Sequence, residues 1–88
     1  MESRKEVRLK VNQPVTMTAM GLTAMPPTAG RVLDMSGSGL RVRTPNPVPC
    51  GSPVKVESQH LVVLAEVCRC QFDGEGYVVG LTVLHAAP

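Results

Sequence analysis

The chain has 88 residues, of which 43% are hydrophobic and 18% are charged, and its formal net charge is +2. This length allows one domain with a single core, and no apolar run approaches the roughly 20 residues that cross a bilayer. The first ten residues, MESRKEVRLK, are charged and precede no apolar segment, so we expect neither a signal peptide nor membrane insertion. These features predict a cytoplasmic protein.

Hydrophobic residues alternate with polar ones along most of the chain, which predicts β-strands. The first example is Val7, Leu9 and Val11, which alternate with Arg8 and Lys10. No segment shows the 3.6-residue period of an amphipathic helix. The predicted strands span residues 7–11, 15–19, 30–33, 40–42, 54–57, 61–70 and 77–84.

Turn-forming residues separate these strands and indicate the architecture. Residues 44–53, TPNPVPCGSP, contain four prolines and predict an irregular connection. Asp73-Gly74 predicts a hairpin turn, and Gly80 predicts a bulge or a close approach of two backbones. Short strands at this spacing predict a small barrel or sandwich, and a closed barrel is favoured because it leaves no exposed edge. We therefore predict one all-β domain over residues 1–88, with an arm at 1–8 and a barrel at 9–85.

The residue types argue against catalysis and metal binding. Cys50, Cys68 and Cys70 fit neither a secreted disulfide framework nor the usual zinc-ligand spacing, and we expect Cys68 and Cys70 on one face of a strand. His60 and His85 have no evident carboxylate partner. We expect no enzymatic activity, metal or other cofactor. With one Tyr, one Phe and no Trp, the chain also lacks the stacking surface of a DNA- or RNA-binding barrel.

Two polar motifs predict a ligand site. Arg4 and Arg8 present guanidinium groups four residues apart, which suit phosphate oxygens or the edge of guanine. Residues 34–39, DMSGSG, carry more polar chemistry than a hairpin turn requires. Asp34 is an acceptor for guanine N–H groups and Ser36 is a donor. Gly39 has no Cβ, so a ligand or the arm can lie against its backbone. These residue types predict a small, anionic, hydrogen-bonding ligand.

The two motifs together resemble those of PilZ domains, a family of bacterial receptor modules for cyclic di-GMP. They are R-x-x-x-R at residues 4–8 and D-x-S-x-x-G at residues 34–39. The resemblance implies a six-stranded antiparallel barrel whose N-terminal arm carries the arginines and wraps cyclic di-GMP. The chain ends without the C-terminal helix of many relatives, so we expect no substantial helix there. The implied ligand-binding residues are Arg4, Arg8, Asp34, Ser36 and Gly39.

The resemblance also implies how such a domain acts. A lone PilZ domain has no output of its own, so we expect an adaptor whose arm changes conformation on binding cyclic di-GMP and which signals through an effector protein. The alternative is a PilZ-like domain that binds no nucleotide and works through protein contacts, in pilus or motility control. Met20, Leu22 and Met25 would suit a contact loop in that case.

Overall fold

The computed structural model describes residues 9–21 and 26–88. The predicted arm, with Arg4 and Arg8, lies outside the described residues, as do Leu22 and Met25 of the predicted contact loop. The described residues form strands and turns without a helix, and so contain no helix that could span a membrane. The strands are β1 (Leu9–Ala19), β2 (Thr28–Met35), β3 (Gly39–Thr44), β4 (Pro53–Glu57), β5 (Val62–Phe72) and β6 (Tyr77–Ala87).

The six strands pair antiparallel and close into a barrel in the order β1-β2-β3-β6-β5-β4. The predicted six-stranded antiparallel barrel is confirmed. Closure depends on a short contact, in which Thr16–Ala19 of β1 pair with Val54–Glu57 of β4. The predicted irregular connection joins β3 to β4, and the predicted Asp73-Gly74 turn joins β5 to β6.

Small aliphatic side chains fill the barrel, which suits a chain with few aromatic residues. They alternate along each strand with outward-facing residues, as a half-buried strand requires. The buried hydrophobic residues are Val15, Met17, Ala19, Val32, Leu40, Val42, Val48, Val54, Val56, Val63, Ala65, Val67, Val79 and Leu81.

Strand β1 corrects the prediction of separate strands at 7–11 and 15–19, because residues 9–19 form one continuous strand. Its register against β2 shifts between Lys10 and Gln13, so the strand bends without ending. Pro14 lies where β1 pairs with β2 alone, since pairing with β4 begins at Thr16. A strand position with a neighbour on one side tolerates the missing N–H of proline.

Strand β5 corrects the prediction that Cys68 and Cys70 share a face. Val67 pairs with Leu81 and Arg69 pairs with Gly80, so Cys68 is an extra residue in β5. This bulge, opposite Gly80, shifts the alternation by one residue. Cys68 is therefore exposed, whereas Cys70 packs against the core.

Candidate ligand site

The β2–β3 hairpin carries the D-x-S-x-x-G motif at one end of the barrel. Asp34 lies near the end of β2, Ser36 follows that strand, and Gly39 begins β3. The Ser36 N–H donates to the Gly39 carbonyl at 2.9 Å, which closes the turn. The Val83 N–H donates to the Ser38 carbonyl at 2.9 Å and ties the turn to β6. Three of the predicted site residues therefore lie on one hairpin braced by a third strand.

A bulge in β2 turns Asp34 to the outside of the barrel. Val32 pairs with Val42 and Asp34 pairs with Arg41, which leaves Leu33 as an extra residue in β2. Without the bulge, alternation from the buried Val32 would direct Asp34 into the core. With it, Asp34 shares the outer face with its exposed partner Arg41, because paired residues of adjacent strands point to the same face.

The Asp34 carboxylate accepts a two-pronged hydrogen bond from the guanidinium group of Arg41. Arg41 Nε donates to Asp34 Oδ2 at 2.9 Å and to Oδ1 at 3.2 Å, and Arg41 Nη2 also donates to Oδ2. Asp34 is only 6% exposed, whereas the Arg41 side chain is 52% exposed. The hydrogen bond and the negative charge of Asp34 raise the pKa of Arg41 above its ordinary value, so this cation stays charged.

Ser36 carries the second polar side chain of the motif. Its Oγ is buried and has no hydrogen-bond partner in the described part of the chain. An unsatisfied buried hydroxyl is unfavourable, so such a group at a candidate site is a natural contact for a ligand. This hydroxyl lies two residues after the Asp34–Arg41 ion pair along the same hairpin.

Gly39 is required by the fold itself. A Cβ at this position would lie 2.9 Å from the carbonyl oxygen of Leu81 in β6, closer than real Cβ contacts. From the sequence alone, the missing Cβ was explained by the space that a ligand or the arm would need. The structure adds a second reason, which is the close approach of β6. Whether a ligand also contacts Gly39 remains a prediction.

Sequence reasoning did not assign a role to Arg41. The sequence does contain a signal for this role. Asp34 precedes the turn and Arg41 follows it, and opposite charges in such positions can face each other across a hairpin. Recognising the pair from sequence required the exact register, which the bulge at Leu33 changes. Among the described residues, no group of three or more His, Cys, Asp or Glu side chains is arranged to hold a metal ion.

Comparison with known proteins identifies the family. A family model described as the PilZ domain matches residues 2–87. The chain belongs to the PilZ domain family. This result confirms the resemblance based on the two motifs, and it agrees with the six-stranded barrel.

The solved structures include one similar to this PilZ domain, the Bacillus subtilis inhibitor of motility (MotI/DgrA). The two share 17% sequence identity with a TM-score of 0.71, and the match covers 99% of this chain and 45% of that one. The PilZ domain thus spans less than half of that protein, and the likeness concerns the fold. A search of curated proteins gave no match.

Proposed function

We propose that this PilZ domain binds cyclic di-GMP on the outer face of its barrel, beside the β2–β3 hairpin. The observation that carries the proposal is the buried, unpaired Ser36 Oγ in the family motif, adjacent to the Asp34–Arg41 ion pair. A donor without a partner and an exposed guanidinium group suit the phosphate and base oxygens of a cyclic dinucleotide. Membership of the PilZ family supports the same ligand.

In this proposal each residue has a distinct role. Ser36 donates a hydrogen bond to the ligand, and Asp34 holds the Arg41 guanidinium group in place while accepting from a guanine edge. Gly39, which has no Cβ, allows the hairpin to lie against β6. Arg4 and Arg8, from the R-x-x-x-R motif, supply the remaining charge for the phosphates.

We further propose that the domain acts as an adaptor without enzymatic activity. Binding would fix the N-terminal arm over the barrel, and an effector protein would recognise the new arrangement. Ordering a segment costs roughly 1–2 kcal/mol of backbone entropy per residue, so the ligand must contribute strong contacts to the arm. Charge-assisted hydrogen bonds from Arg4 and Arg8 to two phosphates are contacts of that kind.

Isothermal titration calorimetry with cyclic di-GMP tests the proposed function on the full 88-residue chain. We expect saturable binding that weakens as salt rises, because the contacts are partly ionic. Absence of binding at low salt would refute the receptor function. It would favour the alternative of a domain that works through protein contacts, for which the exposed Met20 remains a candidate contact.

The variant Ser36→Ala separates a ligand contact from a structural role. Removing an unsatisfied buried hydroxyl leaves no broken hydrogen bond, so the melting temperature should stay the same or rise. Loss of one ligand hydrogen bond should weaken cyclic di-GMP binding about fivefold or more in calorimetry.

The matched control is Ser58→Ala. Ser58 follows β4 and lies outside the D-x-S-x-x-G motif, and its Oγ donates to the Leu61 carbonyl at 3.4 Å, so its loss should leave affinity unchanged. An unchanged affinity in Ser36→Ala as well would contradict the assignment of Ser36.

A further inference from the structure

The strand register places one residue from each of five strands, three of them basic and one acidic, in one row across the outside of the barrel. Asp34 pairs with Lys10 on one side and with Arg41 on the other. Arg41 pairs with Gly80, and Gly80 pairs with Arg69. The row therefore runs over β1, β2, β3, β6 and β5, and it begins two residues after Arg8 of the R-x-x-x-R motif. Lys10, Arg41 and Arg69 are all exposed.

An open groove of about 400 Å³ lies along the part of this row beyond Asp34. Ser36 and Gly39 of the hairpin line one end, and Cys68 and Arg69 of β5 line the other. Gly80 lies in the row between Arg41 and Arg69 and adds no side chain to the groove. The groove therefore extends from Ser36 of the hairpin to a second arginine two strands away.

The bulge at Cys68 accounts for the position of Arg69. Alternation from the buried Val67 would direct the side chain of Arg69 into the core. The extra residue reverses this, so Arg69 faces outward. A bulge interrupts strand pairing, and bulges are found where a side chain must be re-aimed.

Among the arginines that the structure describes, Arg69 alone has no hydrogen-bond or ion-pair partner in the described residues. Arg41 is bound to Asp34, Arg43 to Asp73, and Arg31 donates to Asn12 Oδ1 at 3.1 Å. Within residues 9–21 and 26–88, the Arg69 side chain forms neither an ion pair nor a hydrogen bond. Its charge is therefore available to an anion in the groove.

We propose that Arg69 is a further ligand-binding residue, which holds a phosphate of the cyclic dinucleotide at the β5 side of the groove. Neighbouring strands are about 4.8 Å apart, so the backbones of Arg41 and Arg69 are about 10 Å apart with Gly80 between them. Two long guanidinium side chains at that separation can approach one phosphate from opposite sides. The inference rests on the proposed function and extends its site beyond the two family motifs.

The test compares Arg69→Gln with Arg31→Gln by calorimetry, using cyclic di-GMP. Each variant removes one positive charge from an exposed strand position, so the change in net charge is the same. We expect Arg69→Gln to weaken binding about tenfold or more, because a charge-assisted hydrogen bond is lost, whereas Arg31→Gln should change it less than twofold. Arg69→Lys should be intermediate, since it keeps the charge without the planar fork.

The outcomes separate this inference from the proposed function. If the unmodified chain binds cyclic di-GMP and Arg69→Gln binds equally well, the inference is wrong and the proposed function stands. If Arg69→Gln and Arg31→Gln lose affinity equally, the loss results from the lower net charge of the protein and not from a contact with Arg69, and the inference is also wrong. If the unmodified chain does not bind, both are wrong.

A measurement on the unmodified chain complements the variants. Cys68 lines the groove and is exposed, whereas Cys50 is exposed but does not line it. Saturating cyclic di-GMP should slow the alkylation of Cys68 by iodoacetamide about threefold or more, measured by mass spectrometry, because thiol reactivity depends on exposure. Alkylation of Cys50 should be unaffected. Equal rates at Cys68 with and without bound ligand would show that the groove is empty in the complex and would overturn the role of Arg69.

Discussion

The variant Gly39→Ala tests how the hairpin is held against the barrel. A methyl group at this position would lie 2.9 Å from the Leu81 carbonyl oxygen, which belongs to the backbone of β6 and cannot rotate away. Overpacking of this kind costs about 1–3 kcal/mol. For a domain of this size each kcal/mol lowers the melting temperature by about 4–8 °C, so we expect a decrease of at least about 4 °C.

Gly76→Ala is the matched control for this variant. A Cβ there would lie 2.8 Å from the Thr44 carbonyl oxygen, an equally close backbone contact. Gly39 and Thr44 are the two ends of β3, so the two substitutions strain opposite ends of the same strand. Both should lower the melting temperature by similar amounts. Gly37→Ala, where no atom lies within 4 Å of the added Cβ, should have little effect.

Thermal denaturation followed by circular dichroism measures the loss of stability, and calorimetry well below both melting temperatures measures ligand binding. Only Gly39→Ala should weaken cyclic di-GMP binding, because only that substitution displaces the hairpin that carries Ser36. A melting temperature of Gly39→Ala equal to that of the unmodified chain would refute the argument from the Leu81 contact. Equal loss of affinity in both variants would show that binding follows global stability and not the position of the hairpin.

Three further predictions concern charged and hydrogen-bonding groups. Arg41→Gln removes the guanidinium group that donates to the nearly buried Asp34 carboxylate, and it should lower the free energy of unfolding by about 1–3 kcal/mol. Its melting temperature should therefore be lower than that of Arg31→Gln, and equal values would contradict a structural role for the pair. Backbone N–H groups of Glu75 and Gly76 lower the pKa of Asp73, so its ionised form stabilises the fold above the ordinary carboxyl pKa of 3.8 and this contribution is lost as pH falls. The melting-temperature difference between the unmodified chain and Asp73→Asn should therefore shrink below that pH, and a constant difference would exclude the charge as its source. Cyclic di-AMP, which lacks the 2-amino group and has an acceptor at N1, should bind about 100-fold more weakly in calorimetry; similar affinities would show that only phosphates are recognised.

The strands could be predicted from sequence, and the D-x-S-x-x-G motif could be located in it, because both depend on local patterns. Period-two alternation identifies a half-buried strand from a few residues, and the motif at residues 34–39 is contiguous. The continuity of β1 could not be predicted, because Pro14 normally interrupts a strand and is tolerated here only through the partial pairing with β4. That tolerance depends on which strand lies alongside, information that is absent from the local sequence.

The position of the candidate site on the outer face of the barrel could not be predicted from sequence for a related reason. Simple alternation from the buried Val32 and Val67 directs both Asp34 and Arg69 into the core, where an ionised side chain without a partner is very unfavourable. One extra residue in each strand, Leu33 and Cys68, turns these side chains outward. A bulge is defined by the mismatch of two strands, so neither strand reveals it alone.

The positions of these irregularities connect the fold with the proposed binding surface. Four register shifts occur among the described strands, and three of them border this row of residues. The shift in β1 follows Lys10, that in β2 precedes Asp34, and one in β5 precedes Arg69, whereas the shift between Leu64 and Ala65 lies elsewhere. A regular barrel would keep more complete strand pairing, and each bulge leaves one residue out of the ladder. Three of the departures from regular pairing thus lie beside the charged side chains that share this outer surface. The row begins at Lys10, two residues after Arg8 in the sequence, and ends at Arg69, so a ligand bound along it as proposed would contact basic residues at both ends of the row.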